Sequence, residues 1–408
     1  MDKMLCALFP LIWGGALSRI PAAGRKTREV LAVFGSCVAS ALSWGLVLGG
    51  SDSRLELFQL TETLSWVLHL DGTGKIFLAI AAVLWPLSTL YAVEYMRHEK
   101  REGHFFSWYL MAYGCVILLA AADNLFSLYI AYEFLTLMTV PLVWHKRDEE
   151  SNRAALQYML YLLGGGALSF VSLMGLSAYG TGQFLPGGNM PAMGNAELML
   201  CLAGFLGFGV KAAVLPLCRW LPRASAAPTP VTALLHAAAV VNAGVFSVAR
   251  FLYFAVGTKV LAGTWVQTVF LGLSGCTAVY GAAMAVRDRH LKRRLAWSTV
   301  SNLSYMLFGI SLLTEQGLTA GLAHMVFHSC MKIILFFCAG AVLTQTGRTQ
   351  VNQMQGLGLR MPLVFGAFSL AGAALAGVPP MPGFASKYLL ITAPFSREAP
   401  ERCGVDYA

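Results

Sequence analysis

The sequence predicts an all-α, polytopic membrane protein of about twelve transmembrane helices, and three observations carry that reading. The composition is 57% hydrophobic and only 12% charged, with a mean hydropathy of +0.63. Apolar runs of about 20 residues, long enough to cross a hydrocarbon core as helix, recur along the chain. Lysine and arginine gather in alternate loops between those runs. Soluble domains are about 25% charged, so 408 residues with half that fraction have too little polar surface to cover a globule in water.

In order, the spans fall at 4–22, 29–50, 74–96, 105–122, 124–145, 155–179, 197–218, 229–254, 262–286, 295–314, 318–345 and 361–392. The first resembles a signal peptide in its Leu5–Leu17 run. Acidic Asp2 precedes it and no clean cleavage site follows, so it reads as a retained helix. The loops after the odd-numbered spans hold 19 of the 29 Lys and Arg, from Arg19, Arg25, Lys26 and Arg28 to Arg348 and Arg360. The alternate loops hold few, chiefly Arg54 and Lys259. The positive-inside rule then places the odd-to-even loops in the cytoplasm and the N-terminus outside. The net charge of +9 is thereby a topology signal and not a nucleic-acid footprint. Nine scattered cysteines form no CxxC and no His/Cys cluster, so neither a disulfide framework nor a metal site is expected.

Two spans are expected to be broken. The seventh runs into Pro216, Pro222, Pro228 and Pro230, and the twelfth contains Gly377-Val-Pro-Pro-Met-Pro-Gly383. Proline removes a backbone donor, and in a bilayer the freed carbonyls persist only where protein or water satisfies them. Broken helices at corresponding places in two halves point to inverted repeats around an ion site. The expected organisation is three N-terminal helices (1–96), a first five-helix repeat (97–256), a second, incomplete repeat (257–392) and a polar tail (393–408).

Seven ionisable residues lie inside or beside the spans: Glu133, Lys211, His236, His324, His328, Lys332 and Lys387. Residues 324, 328 and 332 recur every four positions, hence on one slowly drifting helix face with about 12 Å of rise. A charge at the bilayer centre costs roughly 2.5–3.5 kcal/mol, and these side chains are the ones from which proton relays are built. Simpler roles exist for each. A Glu–Lys pair can join helices, His236 can hydrogen-bond at a helix break, and Lys387 can snorkel to the interface. Glycine-rich Gly164-Gly-Gly-Ala167 reads as a close-packing surface. Asp71, Glu94 and Asp123, at span ends, read as solvated.

Lys211-Ala-Ala-Val-Leu-Pro-Leu-Cys-Arg-Trp-Leu-Pro222, followed by Ala227-Pro-Thr-Pro-Val-Thr-Ala-Leu-Leu-His236, resembles the signature of a known family. So do Leu291-Lys-Arg-Arg-Leu-Ala-Trp-Ser-Thr299, the His324, His328, Lys332 series and Pro379-Pro-Met-Pro-Gly-Phe-Ala-Ser-Lys387. The family is that of the antiporter-like proton-translocating membrane subunits shared by NADH:quinone oxidoreductase (complex I), membrane-bound hydrogenases and Mrp cation/proton antiporters. The resemblance runs from about residue 65 to 392. It implies that Glu133 and Lys211 form the charged pair of one half-channel, that His236 links toward the centre, that His324, His328 and Lys332 form a relay, and that Lys387 gates the outer exit.

The same resemblance implies a protein of a bacterial or archaeal inner membrane that moves protons or sodium as part of a larger complex. Its partners would be other membrane subunits and a peripheral redox arm that carries the electron-transfer chemistry. This chain has no nucleotide-binding glycine loop and is expected to hold no cofactor. The readings kept open beside it are an inert, truncated scaffold and an Mrp-type sodium/proton antiporter subunit. The chain departs from the family in three places: Asn242 stands where many relatives have lysine, and Arg223 and His290 stand where the family is acidic. Family members also continue with two more helices, whereas this sequence turns polar at Ser396 and ends at Ala408, so the second repeat is expected to lack its last helix.

Overall fold

The computed structural model describes residues 3–19, 24–49, 53–61, 64–97, 99, 102–180 and 182–395. Asp2, Lys100, Arg101, Cys403 and the tail from Ser396 lie outside them. A tight 3-10 turn (Lys3–Leu8) leads into α1 (Phe9–Ser18) and α2 (Arg25–Leu48). A two-stranded antiparallel hairpin follows, β1 (Leu55–Gln59) and β2 (Ser65–Leu68). Then come α3 (Gly72–Met96), α4 (Glu102–Ala120), α5 (Leu125–Val143), α6 (Glu149–Ser177), α7 (Asn195–Gly209), the short α8 (Trp220–Ala224), α9 (Thr229–Ala237) and α10 (Val240–Arg250). A π-helical turn (Phe251–Val256) and α11 (Thr258–Leu261) precede α12 (Trp265–Arg287), α13 (Leu291–Ser311), α14 (Glu315–Thr346), α15 (Leu357–Arg360), α16 (Pro362–Ala376) and α17 (Pro382–Thr392).

The protein is thus almost entirely helical, and each expected span coincides with a helix or a pair of helices. Among the described residues, seven segments are long and apolar enough to cross a membrane by themselves. Local chemistry sets their ends. Asp71, Asn124, Asp148 and Thr314 each accept a backbone N–H in the first turn of the helix they precede. Gly347 (φ 67°) and Gly377 (φ 93°) close α14 and α16 in the left-handed conformation that glycine tolerates. Large apolar side chains such as Leu137, Leu160, Val279 and Leu363 are exposed on the outside, as expected of surfaces whose solvent is lipid.

Four details differ from expectation. The first span begins as a 3-10 turn, because Pro10 fits only the opening turn of a helix. The hairpin has no counterpart among the expected spans. The seventh span, expected to reach residue 218, ends as helix at Gly209, so Lys211 lies within the break. The eighth is itself broken, at Ala238 and Ala239, where no proline stands.

Every residue of the segment Thr229–Val256 is buried. It packs against α3, α5, α7, α13 and α14, which together surround it. The basic loops around 146–153, 222–226, 290–293 and 348–349 converge on one face, about a shared cleft. At the opposite helix ends the remaining loops interlock, through Leu125 N to Gly182 O (2.9 Å), Leu185 N to Phe254 O (3.0 Å) and His69 N to Ala121 O (2.7 Å). The alternation of charge along the sequence is therefore a two-faced arrangement in space.

Candidate functional site

The break after α7 is held by named side chains. Tyr132 of α5 donates its hydroxyl to the Gly207 and Phe208 carbonyls (3.1 and 3.0 Å), and Trp220 donates to the Val210 carbonyl at 2.9 Å. On the far side of the break Leu215 N donates to Thr277 Oγ1 at 3.0 Å. These bonds take up backbone groups that a proline-interrupted helix leaves open. Gly244 of α10 lets the backbone of Lys211 approach, since a Cβ there would stand 2.9 Å from Lys211 Cβ.

Lys211 is fully buried. Its ammonium donates to the Tyr132 carbonyl and lies 3.4 Å from the centre of the Tyr132 ring. Glu133, next in sequence, is half-buried, and its Oε1 has no hydrogen-bond partner among the described residues. The two are neighbours beyond ion-pair distance, and the carbonyl and ring of Tyr132 hold the Lys211 ammonium. The Glu133 carboxylate lies over Gly166 of α6, where a Cβ would sit 2.7 Å from Cδ and 3.0 Å from Oε2. Gly166, expected to serve helix packing, makes room for this carboxylate.

His236 is fully buried on α9 and stacks on Phe336 of α14 (4.8 Å, 21°), with neither ring nitrogen hydrogen-bonded among the described residues. Just beyond it, Asn242 donates to the Ala237 carbonyl (2.8 Å), which the α9–α10 break frees, and to Ser329 Oγ of α14 (2.7 Å). Asn242 therefore ties the broken central helix to α14.

On α14, His324, His328 and Lys332 are all fully buried. His324 Nδ1 pairs with Ser386 Oγ of α17 (2.9 Å) and Nε2 with Asn302 Oδ1 of α13 (3.1 Å). Asn302 gives its amide N–H to the Ser298 carbonyl (2.7 Å), so its oxygen faces the ring and Nε2 is the donor there. Lys332 donates to the Leu295 carbonyl (2.8 Å) and to the Ser298 hydroxyl. His328, between them, has both nitrogens unpartnered among the described residues, and its ring centre is 6.3 Å from that of His324. Lys387 is half-buried; it donates to the Ala376 carbonyl, the last of α16 (3.2 Å), and lies 5.7 Å from the Tyr305 ring centre.

In space the row runs from Glu133 on α5 and Lys211 just beyond α7, through His236 on the central segment, to the α14 series, which it meets in reverse of the sequence order: Phe336, one turn past Lys332, stacks on His236, while His324 bonds Ser386, the neighbour of Lys387 at the second break. Among the described residues none of the buried Lys and His of this row has an acidic partner within ion-pair distance, and no group of three metal-ligating side chains occurs. Such a row, with hydroxyls and carbonyls between its members, has the chemistry to hold and pass protons.

The sequence reading missed several residues. Tyr132, Gly166, Asn302, Ser298 and Ser386 are neutral and carry no signal beyond proximity to the charged row. Arg250 carried one, a guanidinium inside an apolar span. It is buried among the rings of Phe184, Phe246 and Phe254 and makes a bidentate ion pair with Asp71. Asp71 is therefore not simply solvated. Asp123 likewise pairs with Arg54 and His69 (3.4 Å to His69), and this bond holds the imidazole above its ordinary value of 6.5. Glu94 is exposed, paired with Arg97 at 2.6 Å. Arg223 and His290, the departures from the family's acidic pattern, both line the cleft on the basic face.

A family described as NADH:quinone oxidoreductase/Mrp antiporter, transmembrane, matches residues 122–401. The chain is 33% identical over 335 residues to a probable K(+)/H(+) antiporter component of Rhizobium meliloti, covering 79% of this chain and 32% of that one. It is also 33% identical, over 336 residues, to NADH-ubiquinone oxidoreductase chain 5 of Hylobates lar, covering 81% and 54%. The chain thus spans about half or less of the length of these relatives. Its fold is similar to a chain of the membrane-bound sulfane sulfur reductase, an archaeal respiratory membrane complex, with a TM-score of 0.84 at 23% identity over 96% of this chain and 82% of that one.

Proposed function

This chain belongs to the NADH:quinone oxidoreductase/Mrp antiporter transmembrane family, and from that premise we propose that it is a proton-translocating membrane subunit of a complex I-like or hydrogenase-type electron-transfer complex. One observation carries the proposal: five Lys and His side chains, Lys211, His236, His324, His328 and Lys332, are completely buried inside a multi-pass membrane protein with no acid within ion-pair distance among the described residues. Buried charges without partners are strongly disfavoured, so each of these groups has reason to exchange its proton with its neighbours. Proton arrival at Glu133 weakens its attraction for the Lys211 ammonium. That change biases the next member of the row, and Lys387 delivers the proton at the far end. The flavin and iron–sulfur chemistry would belong to a peripheral redox arm and the remaining membrane subunits.

The basic face lies in the cytoplasm and the N-terminus outside, in this reading, within a bacterial or archaeal inner membrane. Residues 97–256 and 257–392 form two inverted repeats, each built around a broken helix. Cysteines placed one at a time in the loops at 146–153 and 182–190, labelled from outside with an impermeant maleimide, test the orientation; labelling of the basic loop would reverse it.

Equal identity to a complex I chain and to an antiporter component favours a second reading, an Mrp-type sodium/proton antiporter subunit. The assembled complex, isolated by a tag on this chain and reconstituted, separates the two. Proton uptake that requires electron transfer supports the first reading, and sodium/proton exchange without any electron donor supports the second. Lys211→Met should abolish whichever flux is found. Undiminished flux in that variant, with the complex intact, would show that the row does not conduct.

A further inference from the structure

The cleft on the basic face, about 750 Å³, lies among α6, the segment before α9, and the start of α13. Its lining carries Lys146, Arg153, Arg223, Lys292, Arg293 and Arg348 against the carboxylates of Glu149 and Glu150. Several of these cations are already engaged: Arg153 by Glu149, Lys146 by Glu99 and Arg293 by Asp288. Three have no acidic partner among the described residues, and one of them, Arg348, donates to the Gln353 carbonyl (2.6 Å). Lys292 is buried and, among the described residues, donates only to the Ala227 carbonyl (2.7 Å). Arg223 is exposed to the cleft and has no acidic partner among the described residues.

Two further observations point to an anion. The Ser225 hydroxyl lines the cleft on a residue only 4% exposed and has no partner among the described residues; the buried His290 Nδ1 is also unpaired. The 21-residue helix α13 also starts in the cleft with no side-chain cap and no acid in its first turn, but with Lys292, Arg293 and Arg294 at its positive end. Helix starts ordinarily favour negative charge.

What sets the class of anion is the floor. Leu291 and Ala339 line this cleft and also an adjoining groove of about 130 Å³ between α14 and α16, whose other walls include Val342, Val351, Val364 and Phe365. A basic pocket at the end of membrane helices, sharing the Leu291 and Ala339 wall with an apolar groove, is matched by a phosphate ester carrying a hydrocarbon chain.

We infer that this cleft binds an acidic phospholipid, with its phosphate between Arg223, Lys292 and Ser225 and one acyl chain in the α14–α16 groove. The lipid supplies the negative charge missing at the start of α13 and seals the cytoplasm-side end of the bundle. Neither the assignment nor its test depends on proton conduction.

The test uses the full chain purified in detergent, with native mass spectrometry and thermal unfolding as readouts. Phosphatidylglycerol, phosphatidylcholine, inorganic phosphate and a polyglutamate peptide are the probes. Phosphatidylglycerol should bind and raise Tm, with inorganic phosphate competing only at far higher concentration. Arg223→Gln, on an exposed side chain, should weaken phosphatidylglycerol binding by about tenfold or more. Val364→Trp, which fills the groove, should weaken the lipid but not inorganic phosphate. Four results would overturn the inference: equal binding of phosphatidylcholine, unchanged lipid binding in Arg223→Gln, inorganic phosphate competing at equal concentration, or retention of the peptide in place of lipid.

Discussion

Replacing Gly166 by alanine separates folding from conduction. A Cβ at this position would collide with Glu133 Oε1 and stand 2.7 Å from Cδ and 3.0 Å from Oε2, while unstrained heavy-atom contacts lie near 3.5–4.0 Å. The carboxylate must therefore retreat by about 1–1.5 Å. Glu133 is half-buried with rotatable bonds, so it can retreat, and alanine is intrinsically better in a helix than glycine by about 1 kcal/mol. The complex should assemble, with its Tm within a few degrees of wild type. Transfer between positioned groups is far less forgiving, and displacement of about 1 Å costs up to roughly a hundredfold in rate. Proton uptake in everted membrane vesicles, followed by quenching of a pH-sensitive dye, should fall by roughly ten- to a hundredfold. The control is Gly164→Ala two positions earlier, where a Cβ meets nothing within 4 Å, and that variant should pump normally. Wild-type uptake by Gly166→Ala, or equal losses in both variants, would refute the reasoning.

Three further outcomes follow from the same structure. Tyr132→Phe removes the hydroxyl that serves the Gly207 and Phe208 carbonyls and should lower stability by about 1–3 kcal/mol in thermal unfolding of the purified chain. Asp71→Asn leaves the buried Arg250 without its counter-ion and should cost about 3 kcal/mol, whereas Glu94→Gln, in an exposed pair with Arg97, should change stability by less than about 1 kcal/mol. The Asp123 bond raises His69 above 6.5, so the contribution of the pair is complete below the unfolded value and is lost as pH rises through the folded one. Across that window Tm should fall in the wild type and stay nearly level in His69→Gln; identical profiles would show that the pair is silent.

Most of the helical frame could be read directly, because hydropathy and loop charge act over some 20 residues at a time. The charged row could be read because Lys, Glu and His are rare enough in apolar runs that each one stands out. What could not be read depends on contacts between distant segments. The break at Ala238 and Ala239 falls in an alanine-rich stretch with high helix propensity; it exists because Asn242 takes the freed Ala237 carbonyl and reaches Ser329. Gly166 looks like any packing glycine in sequence, and only the fold puts Glu133 above it. The Lys211 ammonium is held by Tyr132, the residue before Glu133, whose importance no single-sequence pattern conveys. Arg250 was legible in principle, as a lone guanidinium in an apolar span, but its partner Asp71 lies 179 positions away.

His328 gives the most direct test of the central claim. It sits in the middle of the α14 series, is fully buried, and has no hydrogen bond among the described residues, so its neutral replacement removes a titratable group with little loss of structure. Proton uptake per turnover of the assembled complex should be measured in everted vesicles for wild type, His328→Gln and His328→Leu. Loss of uptake in both variants, with assembly retained, is the result expected if protons travel along this row. Normal uptake in His328→Leu would contradict it and reduce the histidine to a packing residue.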